Sequence, residues 1–222
     1  MNIEQPDASV FVYRITYFNA EFEIIAEKII ACYYLMIDDG IILPNDENKI
    51  RNELTNNYLN ENNVRNKIGL KNYYFQPEAP TKNDKGRFDI KIISQETTFS
   101  DTNAFYVIEC KRLNGETKLN SEYVLNGIAR FTNEMKYPFY NNTAGMIGFV
   151  VSMIDIHKNV DFINQLLQNT FTQINTEKTL TKKQIKSNFE YSYCSCHKVG
   201  KNTKTIYHLM FDFSHNVTVR QV

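Results

Sequence analysis

The sequence predicts an α/β (α+β) domain, a β-sheet with helices packed on its faces. Segments with apolar residues at helical spacing alternate with β-branched runs, in the order helices, three strands, helix, strand, helix, two strands. Residues 146–153 are almost unbroken apolar, as a strand covered on both faces requires. A chain of 222 residues with 42% hydrophobic and 23% charged side chains can bury one sizeable core, and no linker, repeat or low-complexity tract divides it.

The elements follow in order. Residues 19–37 set Phe22, Ile25, Ala26, Ile29, Ile30 and Tyr33 on one helical stripe, with acids early and Lys28 later, as the helix dipole favours. Gly40 and Pro44 close that unit. Asn45 or Asp46, both good caps, opens a second helix that runs to Asn60. Residues 73–76 read as a short strand ended by Pro77 and Pro80, and 81–86 as a polar turn. Strands at 87–94 and 104–111 form a hairpin across the polar loop 95–103. A helix over 116–134 turns Tyr123, Leu125, Ile128 and Phe131 to the core, and Gly127 lets it pack closely on the sheet. After the apolar strand come an amphipathic helix over 160–174, an exposed polar and basic segment over 175–186, and closing strands at 189–196 and 205–213.

Composition narrows the function classes. Lys plus Arg and Asp plus Glu both number 25, a net charge of zero. Nucleic-acid binders usually carry a basic excess, so any DNA affinity here must come from uneven charge placement, a metal or a partner subunit. Residues 1–12 have no basic start and no long apolar core, and no run suits a membrane span, so a cytoplasmic protein is expected. Cys32, Cys110, Cys194 and Cys196 are then reduced thiols.

Two strands break local rules. Asp89 sits between Phe88 and Ile90, although Asp is disfavoured in strands. Glu109 and Lys111 end the run Phe105–Lys111, and side chains two apart share a face. Taken alone, Glu109 and Lys111 read as an ion pair at a strand tip. Asp89 in the preceding strand changes that reading, because an ionised carboxylate is costly to bury unless it is paired or binds metal. Two such violations in adjacent strands point to a site. Two carboxylates and an ammonium on one patch are what a divalent metal and a phosphodiester require.

A further acid has three candidates. Glu47 shares a helical stripe with Ile50, Leu54 and Tyr58, whereas Glu53 lies off it, which favours Glu47. A helix-start carboxylate beside the dipole is the plainer reading of Glu47. Glu78, just before the Asp89 strand, is either a ligand or a solvated turn residue. Lys91 shares the Asp89 face as a phosphate contact or, preferably, a salt-bridge partner. Arg130 and Tyr123 are seven apart on one helix face.

The pattern Phe88-Asp89 followed by Glu109-Cys110-Lys111 resembles the PD-(D/E)xK nuclease superfamily, over roughly residues 45–152. No proline precedes the aspartate, so the first half of the motif is degenerate. The resemblance implies a restriction-endonuclease-like mixed β-sheet flanked by helices and metal-dependent hydrolysis of phosphodiesters, with DNA as the expected partner. It implies that Asp89, Glu109 and the Cys110 carbonyl hold Mg²⁺ or Mn²⁺, with Glu78 as a further candidate ligand, and that Lys111 orients water. Arg130 and Tyr123 would face substrate. A homodimer or partner subunit and a role in prokaryotic defence or a mobile element fit the same resemblance, as does a silent module that binds without cutting.

The remaining signals are weaker. Cys194, Cys196, His197, His208 and His215 lack the spacing of a zinc knuckle and read as strand residues. His157 reads as a residue at a helix start, and Lys182, Lys183 and Lys186 as a solvated basic cluster able to touch a nucleic-acid backbone.

Overall fold

The computed structural model describes residues 8–81, 86–99, 101–132 and 142–218, with side chains from 17 onward. The chain opens with a long helix, α1 (Ala8–Asp38), then β1 (Leu43–Pro44) and α2 (Glu47–Glu53). Asp46 caps α2 by accepting from the Lys49 N–H. A wide π turn (Leu54–Leu59) extends α2, and α3 (Asn62–Ile68), unforeseen in the sequence, ends at Gly69 in the left-handed region. Next come β2 (Tyr73–Pro80), β3 (Arg87–Ser94) and β4 (Tyr106–Leu113). The helix α4 (Thr117–Tyr123) passes through a π turn (Val124–Ile128) into α5 (Ala129–Thr132). Then follow β5 (Thr143–Val150), α6 (Ile156–Gln165), β6 (Thr176–Lys182), β7 (Ser192–Val199), β8 (Asn202–Asp212) and β9 (Val217–Thr218).

Among the described residues, seven strands form one mixed sheet in the order β2-β3-β4-β5-β8-β7-β6. The central trio β4, β5 and β8 is parallel, and the outer pairs are antiparallel. Helix α1 covers one face, where Phe22, Ile25 and Ile29 join Ile90, Ile108, Cys110, Ile147 and Leu209. Helices α4 to α6 cover the other, where Tyr123, Ile128 and Ile163 join Val107, Met146 and Met210. This is the expected mixed sheet flanked by helices, with β5 buried along its whole length.

Several sequence expectations need correction. The strand expected at residues 73–76 does not stop at Pro77 but continues to Pro80, because β2 is an edge strand and a missing N–H there breaks no ladder. Residues 175–186 are not simply a polar loop. They include the edge strand β6, whose charged side chains face solvent while Leu180 is buried. The central apolar strand begins at Thr143 and ends at Val150, leaving Met153 exposed. Leu125 is exposed rather than core-facing, because the π turn bonds i to i+5 and rotates Val124 inward in its place. Residues 133–134 of the predicted helix lie outside the described residues, as do 82–85 of the predicted turn.

Candidate active site

The site forms where β3 peels away from β4. Their ladder pairs Ile92 with Tyr106, Lys91 with Val107 and Ile90 with Ile108, then stops. One step further the register sets Asp89 opposite Glu109. Beyond that point the N–H groups of Cys110 and Arg112 have no strand on their β3 side, and a buried unpaired N–H is costly. Two carboxylates replace the missing strand. Asp89 Oδ2 accepts from the Cys110 N–H at 2.8 Å, and Glu47 Oε2 from the Arg112 N–H at 3.0 Å.

Each of these carboxylates gives its other oxygen to a cation. Asp89 Oδ1 takes Arg51 Nη1 at 2.8 Å, and Glu47 Oε1 takes Lys111 Nζ at 3.0 Å. Glu47 and Arg51 are one helical turn apart, so α2 presents an acid and a base to the sheet from a single face. Its apolar stripe, Ile50 and Leu54, anchors that face in the core. Of the two helix acids weighed from the sequence, Glu47 is the one that reaches Lys111 and the Arg112 N–H. Glu53 lines a cleft of about 350 Å³ with Leu43, Pro44, Lys49 and Asn56.

Lys111 lies at the centre. Its Nζ is 2.7 Å from the Cys110 carbonyl oxygen, 2.8 Å from Glu109 Oε1, 3.0 Å from Glu47 Oε1 and 3.9 Å from Asp89 Oδ2. Burial works against this charge, but the carboxylates of Glu109, Glu47 and Asp89 outweigh it and hold the ammonium above its usual range. Glu109 is fully buried, and Arg130 Nη1 reaches the same Oε1 at 2.8 Å. Burial, then the Asp89 charge, pushes the Glu109 carboxyl up despite these two cations. Gly127 makes the crowding feasible. A Cβ there would collide with Met146 Cε, while Lys111 Cγ would stand at ordinary contact distance, 3.6 Å, so the bare glycine lets the helix settle onto Met146 directly beside the lysine stem.

Asp89, Glu109, Lys111, Glu47 and the Cys110 carbonyl therefore come together, with Arg130 on Glu109. The other sequence candidates lie elsewhere. Glu78 is held by Arg51 at 2.8 Å and by Arg87 at 3.3 Å. Lys91 lies over the Phe105 ring, 4.2 Å from its centroid. Tyr123, expected beside Arg130 as a substrate contact, is fully buried with its hydroxyl bonded to His208 Nδ1 at 2.8 Å, which corrects that expectation. Sequence reasoning missed Arg51. Its side chain is 2% exposed, and its Nε and Nη2 also reach Asn52 Oδ1. Its place four residues after Glu47 on the same stripe was the available signal.

The weaker signals resolve as structure. Ser195 Oγ links His197 Nε2 at 2.7 Å and His208 Nε2 at 2.8 Å on one sheet face, while Cys194 points to the α1 side. His157 is the second residue of α6 and bonds the Tyr193 hydroxyl. Lys182, Lys183 and Lys186 pair with Glu190, Glu23 and Glu27.

No protein-family model, curated protein or solved structure matches this chain. Among the described residues, no three His, Cys, Asp or Glu side chains form a cation cage of their own, and no helix is long and apolar enough to cross a membrane. The cation the oxygens face is the lysine head.

Proposed function

We propose that this chain is a divalent-metal-dependent nuclease of the restriction-endonuclease-like class that hydrolyses phosphodiester bonds in DNA. One observation carries the reading. Oxygens from a helix (Glu47), two strands (Asp89 and Glu109) and a backbone carbonyl (Cys110) surround a single cationic point, held in this structure by the Lys111 ammonium. Such an all-oxygen donor set suits Mg²⁺ or Mn²⁺. A bound divalent ion supplies Lewis-acid polarisation of a phosphate and a more acidic water.

The chain's own residues do the rest. Arg51 fixes the Asp89 carboxylate, and Arg130 fixes Glu109, so the donors are held before substrate arrives. The Lys111 N–H groups orient the attacking water and stabilise negative charge gathering on the phosphoryl oxygens. Arg130 and Glu47 keep 29% and 30% of their side chains exposed, which leaves the patch open to a phosphate on that side. In the nucleases this pattern resembles, water attacks phosphorus in line with the departing 3′ oxygen; the same course here would break the P–O3′ bond and leave a 5′-phosphate and a 3′-hydroxyl.

A second reading, a module that binds nucleic acid or a partner without cutting, is favoured by the closed ion-pair network. All three carboxylates already have cations, and two of them replace the missing β3 ladder. One assay separates the readings. Plasmid, linear single-stranded DNA and RNA are incubated with wild type, Asp89→Ala and Lys111→Ala, in Mg²⁺, Mn²⁺ or EDTA. Metal-dependent DNA cleavage lost in both variants supports the nuclease. Gel shifts without cleavage support the silent module, and cleavage that survives Lys111→Ala overturns the site.

A further inference from the structure

We infer that the Lys111 ammonium holds the cation position of this site in the metal-free chain, so that metal loading is an exchange that expels the lysine head from its cage. This rests on the metal-dependent reading above and concerns how that same site is switched on.

The geometry makes the case. An ammonium has three N–H donors and no acceptor. At Lys111 three oxygens lie at hydrogen-bond distance, those of Cys110, Glu109 and Glu47 at 2.7 to 3.0 Å. Each donor therefore has a protein partner, and none is left for a water or a phosphate. The same three oxygens belong to the proposed metal ligands. A divalent ion at those oxygens and an ammonium among them would repel at short range in a site with little water to screen them. The two cations therefore exclude one another.

The surroundings permit the exchange. Arg51 and Arg130 hold Asp89 and Glu109 from outside the cage, so the acids keep a partner when the lysine leaves. Lys111 is 7% exposed, and its neighbour Glu47 marks the more open side. The resting chain thus carries its water-orienting group in an inert state, and the metal both enters the site and frees that group.

The test reads lysine chemistry rather than cleavage. Wild-type protein is reductively methylated with formaldehyde in EDTA and in Mg²⁺ or Ca²⁺, and the modified lysines are mapped by peptide mass spectrometry. Lys158, 85% exposed, is the internal standard. In EDTA, Lys111 is expected to react at least about tenfold more slowly than Lys158, and the divalent ion is expected to remove most of that protection. Calorimetry with Mn²⁺ supplies a second readout, in which Lys111→Met binds at least about tenfold more tightly than wild type. Binding detectable only in Lys111→Met also supports the exchange, since it identifies the lysine as the block. If wild type binds Mn²⁺ while Lys111 stays protected, the exchange is overturned and the metal site stands. If neither protein binds Mn²⁺, the metal-dependent reading falls and the exchange falls with it.

Discussion

Replacing Arg51 by Met removes the guanidinium that pins Asp89 and preserves most of the side-chain volume. Arg51 is 2% exposed, and Asp89 only 15% in its side chain, so the pair is effectively buried. Breaking a buried pair by removing one partner costs about 3–5 kcal/mol, because the other charge is stranded. Two features pull the expected value to the low end. Asp89 keeps the Cys110 N–H at 2.8 Å and the Lys111 ammonium at 3.9 Å. Glu78 is 45% exposed, so its bond to Arg51 contributes at most about 1 kcal/mol after solvent screening. Arg51→Met is therefore expected to lose about 3 kcal/mol, a drop in Tm of about 6–12 °C for a chain of this size. Urea unfolding followed by circular dichroism in EDTA measures it. A double-mutant cycle with Asp89→Asn isolates the pair and is expected to give a coupling of about 2 kcal/mol. A loss below about 1 kcal/mol, or no coupling, would refute the claim that Arg51 holds Asp89.

Other expectations concern the scaffold. Burial pushes His197 down to about 4 and His208 well below its usual range, so both are neutral in the fold. The unfolded chain takes up these protons as pH falls below about 6.5, so their stabilisation is complete above that value and is lost as pH drops toward about 4, with about 3 kcal/mol at stake for His197. The urea midpoint from pH 7.5 to 4.5 should fall less steeply in His197→Gln than in wild type, and equal slopes would count against the linkage. Gly127→Leu would drive a side chain into Met146 and the Lys111 stem, at a cost of about 1–3 kcal/mol in the same unfolding assay. Tyr106→Phe removes a 2.5 Å hydrogen bond to Glu21, a nearly buried carboxylate that also accepts from Ser94. The expected loss is about 2 kcal/mol, and a neutral result would mean that Ser94 alone satisfies Glu21.

Much of the site was legible because short-range periodicity is strict. Glu109 and Lys111 share a face in any strand, and Glu47 rides a helical stripe with Ile50 and Leu54 wherever that helix packs. Arg51 was legible only through its spacing from Glu47. On its helix it reads as one more solvated arginine, and its burial depends on Asp89 and Glu78, which lie 38 and 27 residues away in sequence. Tyr123 misled for a related reason. It meets the sheet as expected, but its ring is buried and its hydroxyl is taken by His208, a partner 85 residues away in sequence.

By itself the sequence determined the mixture of helices and strands, the central apolar strand and the pairing of an acid with a lysine at the end of a strand. These depend on side-chain size, branching and polarity repeated at two fixed spacings. Tertiary structure alone decided that β2 runs through two prolines, that β6 is a strand, and that Arg51 is buried. An edge strand is made by its neighbour's hydrogen bonds rather than by its own hydrophobicity. A buried charge is likewise stable only beside counter-charges that distant parts of the chain bring to it.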